Sequence, residues 1–172
     1  ILLFSCNRNP LKVDISDIKT NIEVVRFDQE LFALPFKDTL NEIADLSNEY
    51  PDFFDLFTYR IIRIGGMGES DFPNLLSKFV HDTMIVDVKN LVDQEFSDFD
   101  KIEKELNTAF KYFQFYYPQK DLPVFYFYIS GFNQSAVIAE NLVGVSLDKY
   151  LGRNCSYYQK LSTTPQYKVQ NM

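Results

Sequence analysis

Few residues in this chain could do chemistry, and most of them stand apart from the partners that chemistry needs. His81 is the single histidine, and Cys6 and Cys155 are the only thiols. A zinc site takes about four ligands from His, Cys, Asp or Glu. His81-Asp82-Thr83 has no second imidazole in a HExxH-like frame, so a capping or interhelix role explains it better than a base or ligand. Gly65-Gly66-Met67-Gly68 would let backbone amides approach a phosphate, yet no Lys-Ser/Thr follows and the spacing is not GxGxxG. It reads as a helix end and a turn. Asp93, Glu95, Asp98, Asp100, Glu103 and Glu105 lack the Asp-x-Asp-x-Asp-Gly of a calcium loop. With Lys101 and Lys104 among them, they read as a solvated helix face. The sequence therefore predicts no catalytic set, no metal and no cofactor.

Chemistry of another kind is written at the start. In Ile1-Leu2-Leu3-Phe4-Ser5-Cys6 an apolar run reaches a small residue and then a thiol, and the chain turns polar beyond it. This resembles the end of a bacterial lipoprotein signal, in which the cysteine becomes the thioether that carries diacylglycerol. Neither an initiator methionine nor a basic region precedes the run, so the beginning of the signal is expected to be missing. Two alternatives remain at this point: a short buried strand with Cys6 as a small hydrophobe, and a Cys6–Cys155 disulfide. Asp38-Thr39-Leu40 and Asp82-Thr83-Met84 resemble the Asp-Thr-apolar acceptor that Bacteroidetes use for periplasmic O-glycosylation, which makes Thr39 and Thr83 candidates for modification.

These residues must be positioned by a chain of 172 residues, enough for one domain with a real core. Apolar residues make up 46% of it and charged ones 24%, which excludes general disorder. The net charge of −7 opposes binding to nucleic acid through its phosphates. With 17 Phe, 11 Tyr and no Trp, the core should be aromatic. No stretch approaches the roughly 18 apolar residues that a membrane span needs.

Residues 1–20 read as the lipobox remnant and a polar tether, and 21–172 as a single α+β domain. Asn21 to Phe27 suggests a strand, with Asp28 capping a short helix after it. Leu40, Ile43, Ala44 and Leu46 recur at helical spacing. Pro51 starts another helix, with Phe53, Phe54, Phe57, Ile61 and Ile64 as its apolar stripe. Two more helices follow over roughly 72–81 and 83–95. Ser97 and Asp100 approximate a capping box for a helix running to about Tyr117. Its stripe of Ile102, Leu106, Ala109, Phe110, Phe113 and Tyr117 is expected to be core, and Pro118 stops it. Strands are predicted over 124–129, 136–139 and 142–147, with a tight hairpin at Glu140-Asn141. Phe125-Tyr126-Phe127-Tyr128 has rings on both faces, as in a central strand buried on both sides. The helical first two-thirds should pack on this small mixed or antiparallel sheet. The last residues, Ser162 to Met172, supply no closing element, which suggests a truncated end.

Two glycine-containing segments carry a more specific signal. Tyr128-Ile129-Ser130-Gly131-Phe132-Asn133 and Gly144-Val145-Ser146-Leu147-Asp148-Lys149-Tyr150-Leu151-Gly152 resemble the gliding-motility lipoprotein B family (GldB) of Bacteroidetes. Val25-Arg26-Phe27-Asp28-Gln29-Glu30-Leu31-Phe32, Tyr50-Pro51-Asp52-Phe53-Phe54 and Glu105 to Phe113 are similar as well. The resemblance implies a lipoprotein of the cell envelope, anchored through Cys6 and working through envelope protein partners. It also implies association with gliding motility, with the type IX secretion machinery, and with an outer-membrane, periplasm-facing location. The family looks distantly like zinc peptidases whose HExxH helix would follow the strands, so the alternative is the N-terminal part of such an enzyme. Gly131, Gly144 and Gly152 are expected at positive φ or at close backbone approaches. Ser130, Asn133 and Asp148 would either bond strand-end backbones or line a cleft at the sheet edge.

Overall fold

The computed structural model describes residues 13–161. Cys6, the apolar run before it and the ending over 162–172 lie outside the described residues. A four-stranded mixed sheet lies between two sets of helices, giving an α+β fold. Its strands are β1 (Val24–Val25), β2 (Val124–Tyr128), β3 (Ala136–Ala139) and β4 (Leu142–Ser146). They are ordered β1-β2-β4-β3, with β2 parallel to both β1 and β4, and β3 antiparallel to β4. Seven α-helices occur among the described residues: α1 (Phe27–Ala33), α2 (Thr39–Glu49), α3 (Pro51–Asp55), α4 (Phe72–His81), α5 (Thr83–Glu95), α6 (Asp100–Tyr116) and α7 (Ser156–Lys160).

Alternation along β2 sends Tyr126 and Tyr128 to one face and Phe125 and Phe127 to the other, and helices cover both. On the first face α1 to α4 bury Phe27, Ile43, Phe53, Phe54, Phe57, Phe72 and Leu76 completely. Phe53 stacks on Tyr126 at 4.2 Å between centroids, and Phe27 meets Phe53 edge-on at 4.9 Å. The second face is covered by Ile85, Val88 and Val92 of α5, by Phe99, and by Tyr158 of α7.

The structure differs from the sequence reading in four places. The strand expected from residue 21 is reduced to Val24–Val25, because Phe27 already begins α1. Asp28 does not cap that helix. It lies inside α1, fully buried, where the Arg26 guanidinium donates to its carboxylate at 2.8 and 2.7 Å. A buried carboxylate needs such a partner, and Arg26 in turn sits 4.4 Å above the Phe99 ring. Pro51 does start α3, but the helix then widens into a π-helical segment over Leu56–Ile61, where Ile62 N–H donates to the Phe57 carbonyl at 2.9 Å.

The fourth difference is α6. Phe99 is its N-cap, and neither Ser97 nor Asp100 makes the capping bond. No residue of α6 is fully buried; Ile102, Leu106 and Phe110 are half-buried, and Ala109 is exposed. The 17-residue helix packs Phe110 against Phe125 at 5.3 Å and bonds Ile22 N–H through Asn107 Oδ1 at 3.1 Å. Beside β2 at this edge stands only the two-residue β1, too little sheet to cover so long a stripe.

Candidate functional site

Parallel pairing of β2 with β4 brings the two glycine-containing segments together. Tyr128 is in register with Ser146, so Ser130 and Asp148, each two residues further on, emerge side by side at the carboxyl ends of the strands. In open α/β sheets this is where ligands bind. Here the position is sealed: Ser130, Ser146 and Asp148 have no exposed surface.

Asp148 collects the donors. Its Oδ2 accepts the Phe132 amide at 2.5 Å, and the Ser130 amide and hydroxyl at 3.3 Å each. Its Oδ1 accepts the Ser146 hydroxyl, whose Oγ also lies 2.8 Å from Ser130 Oγ. Ser130 Oγ accepts the amides of Asn133 at 3.0 Å and Gln134 at 3.3 Å. Two successive left-handed residues, Gly131 at φ +66 and Phe132 at φ +65, turn the Phe132 amide inward to the carboxylate. Tyr158 completes the lock from the second face, where its hydroxyl donates to the Asp148 carbonyl at 2.9 Å and accepts Leu151 N–H at 2.8 Å. Burial pushes the Asp148 carboxyl above its ordinary 3.8, against the downward pull of bonds from Ser146, Phe132 and Ser130.

Of the expected residues, Ser130, Gly131 and Asp148 meet in this cluster. Asn133 contributes only its backbone amide, and its side chain is exposed. Gly144 lies one turn of the pleat away, at ordinary negative φ. A Cβ there would stand 2.7 Å from Val137 Cγ2 and 3.0 Å from the Phe53 and Tyr128 rings, so it is a close-approach glycine. Gly152, at φ +79, turns the chain after the cluster. Sequence reasoning passed over Ser146, which the strand period could have marked, since it lies two residues before Asp148. The Phe132 amide and Tyr158 carried no such signal.

The cluster holds hydroxyls and an acid but no imidazole. His81 ends α4 instead, its Nδ1 2.8 Å from the Ser77 carbonyl and its ring edge-on to Phe36. Among the described residues no group of three or more His, Cys, Asp or Glu could hold a metal ion. Thr39 and Thr83 both open helices. Thr83 is exposed, whereas the Thr39 hydroxyl donates to the Phe36 carbonyl at 3.3 Å. No helix among the described residues is long and apolar enough to cross a membrane.

The domain thus encloses a sealed polar cluster, Ser130, Ser146 and Asp148, at the ends of parallel strands in an aromatic core. Comparison with known families assigns it further: a lipoprotein family model described as gliding motility protein GldB matches residues 8–172, and the chain belongs to that family. Membership implies a membrane-anchored envelope protein linked to gliding motility. No curated protein and no solved structure matches the chain.

Proposed function

We propose that the chain is the envelope-exposed domain of a lipoprotein anchored through Cys6, facing the periplasm, and that it supports gliding motility and type IX secretion through protein contacts. The family match over residues 8–172 carries this reading. The burial of Ser130, Ser146 and Asp148 favours contacts over catalysis, because no solute reaches those groups. Exposed Phe115, Tyr116 and Tyr117 at the end of α6 supply apolar surface of the kind that partners cover. Export would also bring Thr39 and Thr83 to the glycosylation machinery, with Thr83 the more accessible.

A diacyl anchor adds about 0.8 kcal/mol per buried CH₂, so membrane retention should depend on the modified thiol. In the full-length precursor Cys6→Ser should abolish labelling by a fatty-acid probe, release the protein from the membrane fraction, and fail to restore gliding in a strain lacking the gene. Asp148→Asn, at normal abundance, should restore gliding and the export of secreted proteins. Labelling that survives Cys6→Ser would reject the anchor. A stable Asp148→Asn protein that leaves cells non-motile would show that the cluster acts rather than supports.

A further inference from the structure

Among the described residues the β3 edge of the sheet is open and apolar. Ala136, Ile138 and Ala139 are exposed, Ile138 by 83%. Pairing in the β3–β4 hairpin settles which backbone groups are free. The two-residue turn at 140–141 makes Ala139 and Leu142 the first hydrogen-bonded pair, and Val137 and Gly144 the next. Ser146 N–H donates to the Ser135 carbonyl at 3.0 Å, which continues the same parity. The N–H and C=O groups of Ala136 and Ile138 therefore point away from β4. Consistent with this, among the described residues only the Ala136 carbonyl is bonded on that side, taking the Gln134 side-chain amide at 3.1 Å.

Edge strands are guarded by shortness, by a Lys, by a Pro or by a bulge, and β3, at four residues, has only the first. Ala-Val-Ile-Ala has neither residue, and its register with β4 runs without interruption. We infer that β3 pairs antiparallel with β3 of a second copy of the chain. A two-fold axis at Val137 places Ala136 opposite Ile138 of the second copy, and Ile138 opposite its Ala136. The outward N–H and C=O groups of Ala136 and Ile138 then face those of the second copy, small side chain beside large, with the Ala136 carbonyl accepting through the lone pair that Gln134 leaves free. The same axis sets Glu140 opposite the amide of Gln134, so no like charges meet. Val137 meets its own counterpart at the axis, on the face that Phe53 covers.

Four residues a side bury far less than the roughly 1,600 Å² of a standard interface. The pair is therefore weak in dilute solution and populated where anchors confine both copies to one surface. That dependence rests on the anchored reading proposed above; the register does not.

The test uses the full chain in its own membrane, as two differently tagged copies carrying Cys155→Ser. Val137 and its counterpart form a non-hydrogen-bonded pair, with Cα atoms about 4.5 Å apart, within the range a disulfide spans. Mild oxidation should join the two Val137→Cys copies covalently. Ala136→Cys, two positions off its own counterpart, should cross-link at least about tenfold less, since its Cα atoms exceed that range. Ile138→Pro, added to Val137→Cys, takes away the outward N–H of residue 138 at an edge position that tolerates proline, and should abolish the cross-link with little change in melting temperature. If Val137→Cys accumulates poorly, co-purification of the two tagged copies and its loss on Ile138→Lys read the same contact. Equal cross-linking at 136 and 137, no cross-link at 137 with no co-purification, or a cross-link to a different protein would overturn the inference. Fractionation of the same cells reads the anchor separately: a cross-linked dimer in the soluble fraction would reject the anchor and leave the pairing intact.

Discussion

The two faces of the sheet are both aromatic, yet they are not closed to the same degree. On the first, α1 to α4 seal five phenylalanines completely, and Phe53 lies flat on Tyr126. On the second, α5 is tightly packed, whereas α6, the longest helix among the described residues, buries no residue of its stripe fully. Both helix sets show clear apolar periodicity in the sequence. Periodicity reports that a helix has a face to bury; the amount of sheet available to cover it decides how far that face is buried.

The contrast is open to direct measurement. Phe53→Ala should be the most damaging change, at roughly 3–5 kcal/mol in denaturant melts, as for a fully buried ring replaced by a cavity. Phe110→Ala should cost only about 1–2 kcal/mol, because its ring is only partly buried. Equal losses would erase the distinction between the faces.

Next in size is the polar end of the sheet. Asp148→Ala strands the Phe132 and Ser130 amides without an acceptor and should cost roughly 2–4 kcal/mol. Asp148→Asn keeps an acceptor and should cost less. Because burial raises the Asp148 carboxyl above 3.8, the folded chain holds this proton where the unfolded chain has released it. The resulting stability is fully present below 3.8 and declines as pH rises through the folded value. Asp148→Asn should flatten that part of the pH–stability curve; an unchanged slope would assign it to another group.

The smallest effect is expected at Tyr128. Its ring is fully buried, and its hydroxyl has no hydrogen-bond partner among the described residues, while burial pushes the phenol pKa up. Tyr128→Phe removes an unpaired buried polar group and should leave stability unchanged or raise it by up to about 1 kcal/mol. A loss of gliding in a stable Tyr128→Phe protein would give that hydroxyl a role that packing does not.

Local signals were legible where a single residue sets the backbone. Pro51 begins α3 by its fixed φ, and Glu140-Asn141 closes the β3–β4 hairpin, with Asn141 at φ +60 in place of a glycine. Strand-like β2 could be recognised from its ring-rich alternation, and Gly131 from its place after that strand. The sealed cluster was only half legible. Ser130 and Asp148 stood out in the sequence, but their partnership depends on the parallel register of Tyr128 with Ser146, across 18 residues that include another strand.

By itself, the sequence determined the aromatic composition of the core, the helix-then-strand order and the family to which the chain belongs, because each rests on residue type and near-neighbour spacing. Tertiary structure alone decided the rest. It placed Asp28 under Arg26 instead of at a helix cap, widened the helix at Leu56–Ile61, left α6 at the rim, and turned Asp148 into a buried latch. Each of these depends on what a side chain meets from a distant segment. Burial makes that meeting decisive, since a charge or a ring removed from water takes whichever partner the packing brings within reach.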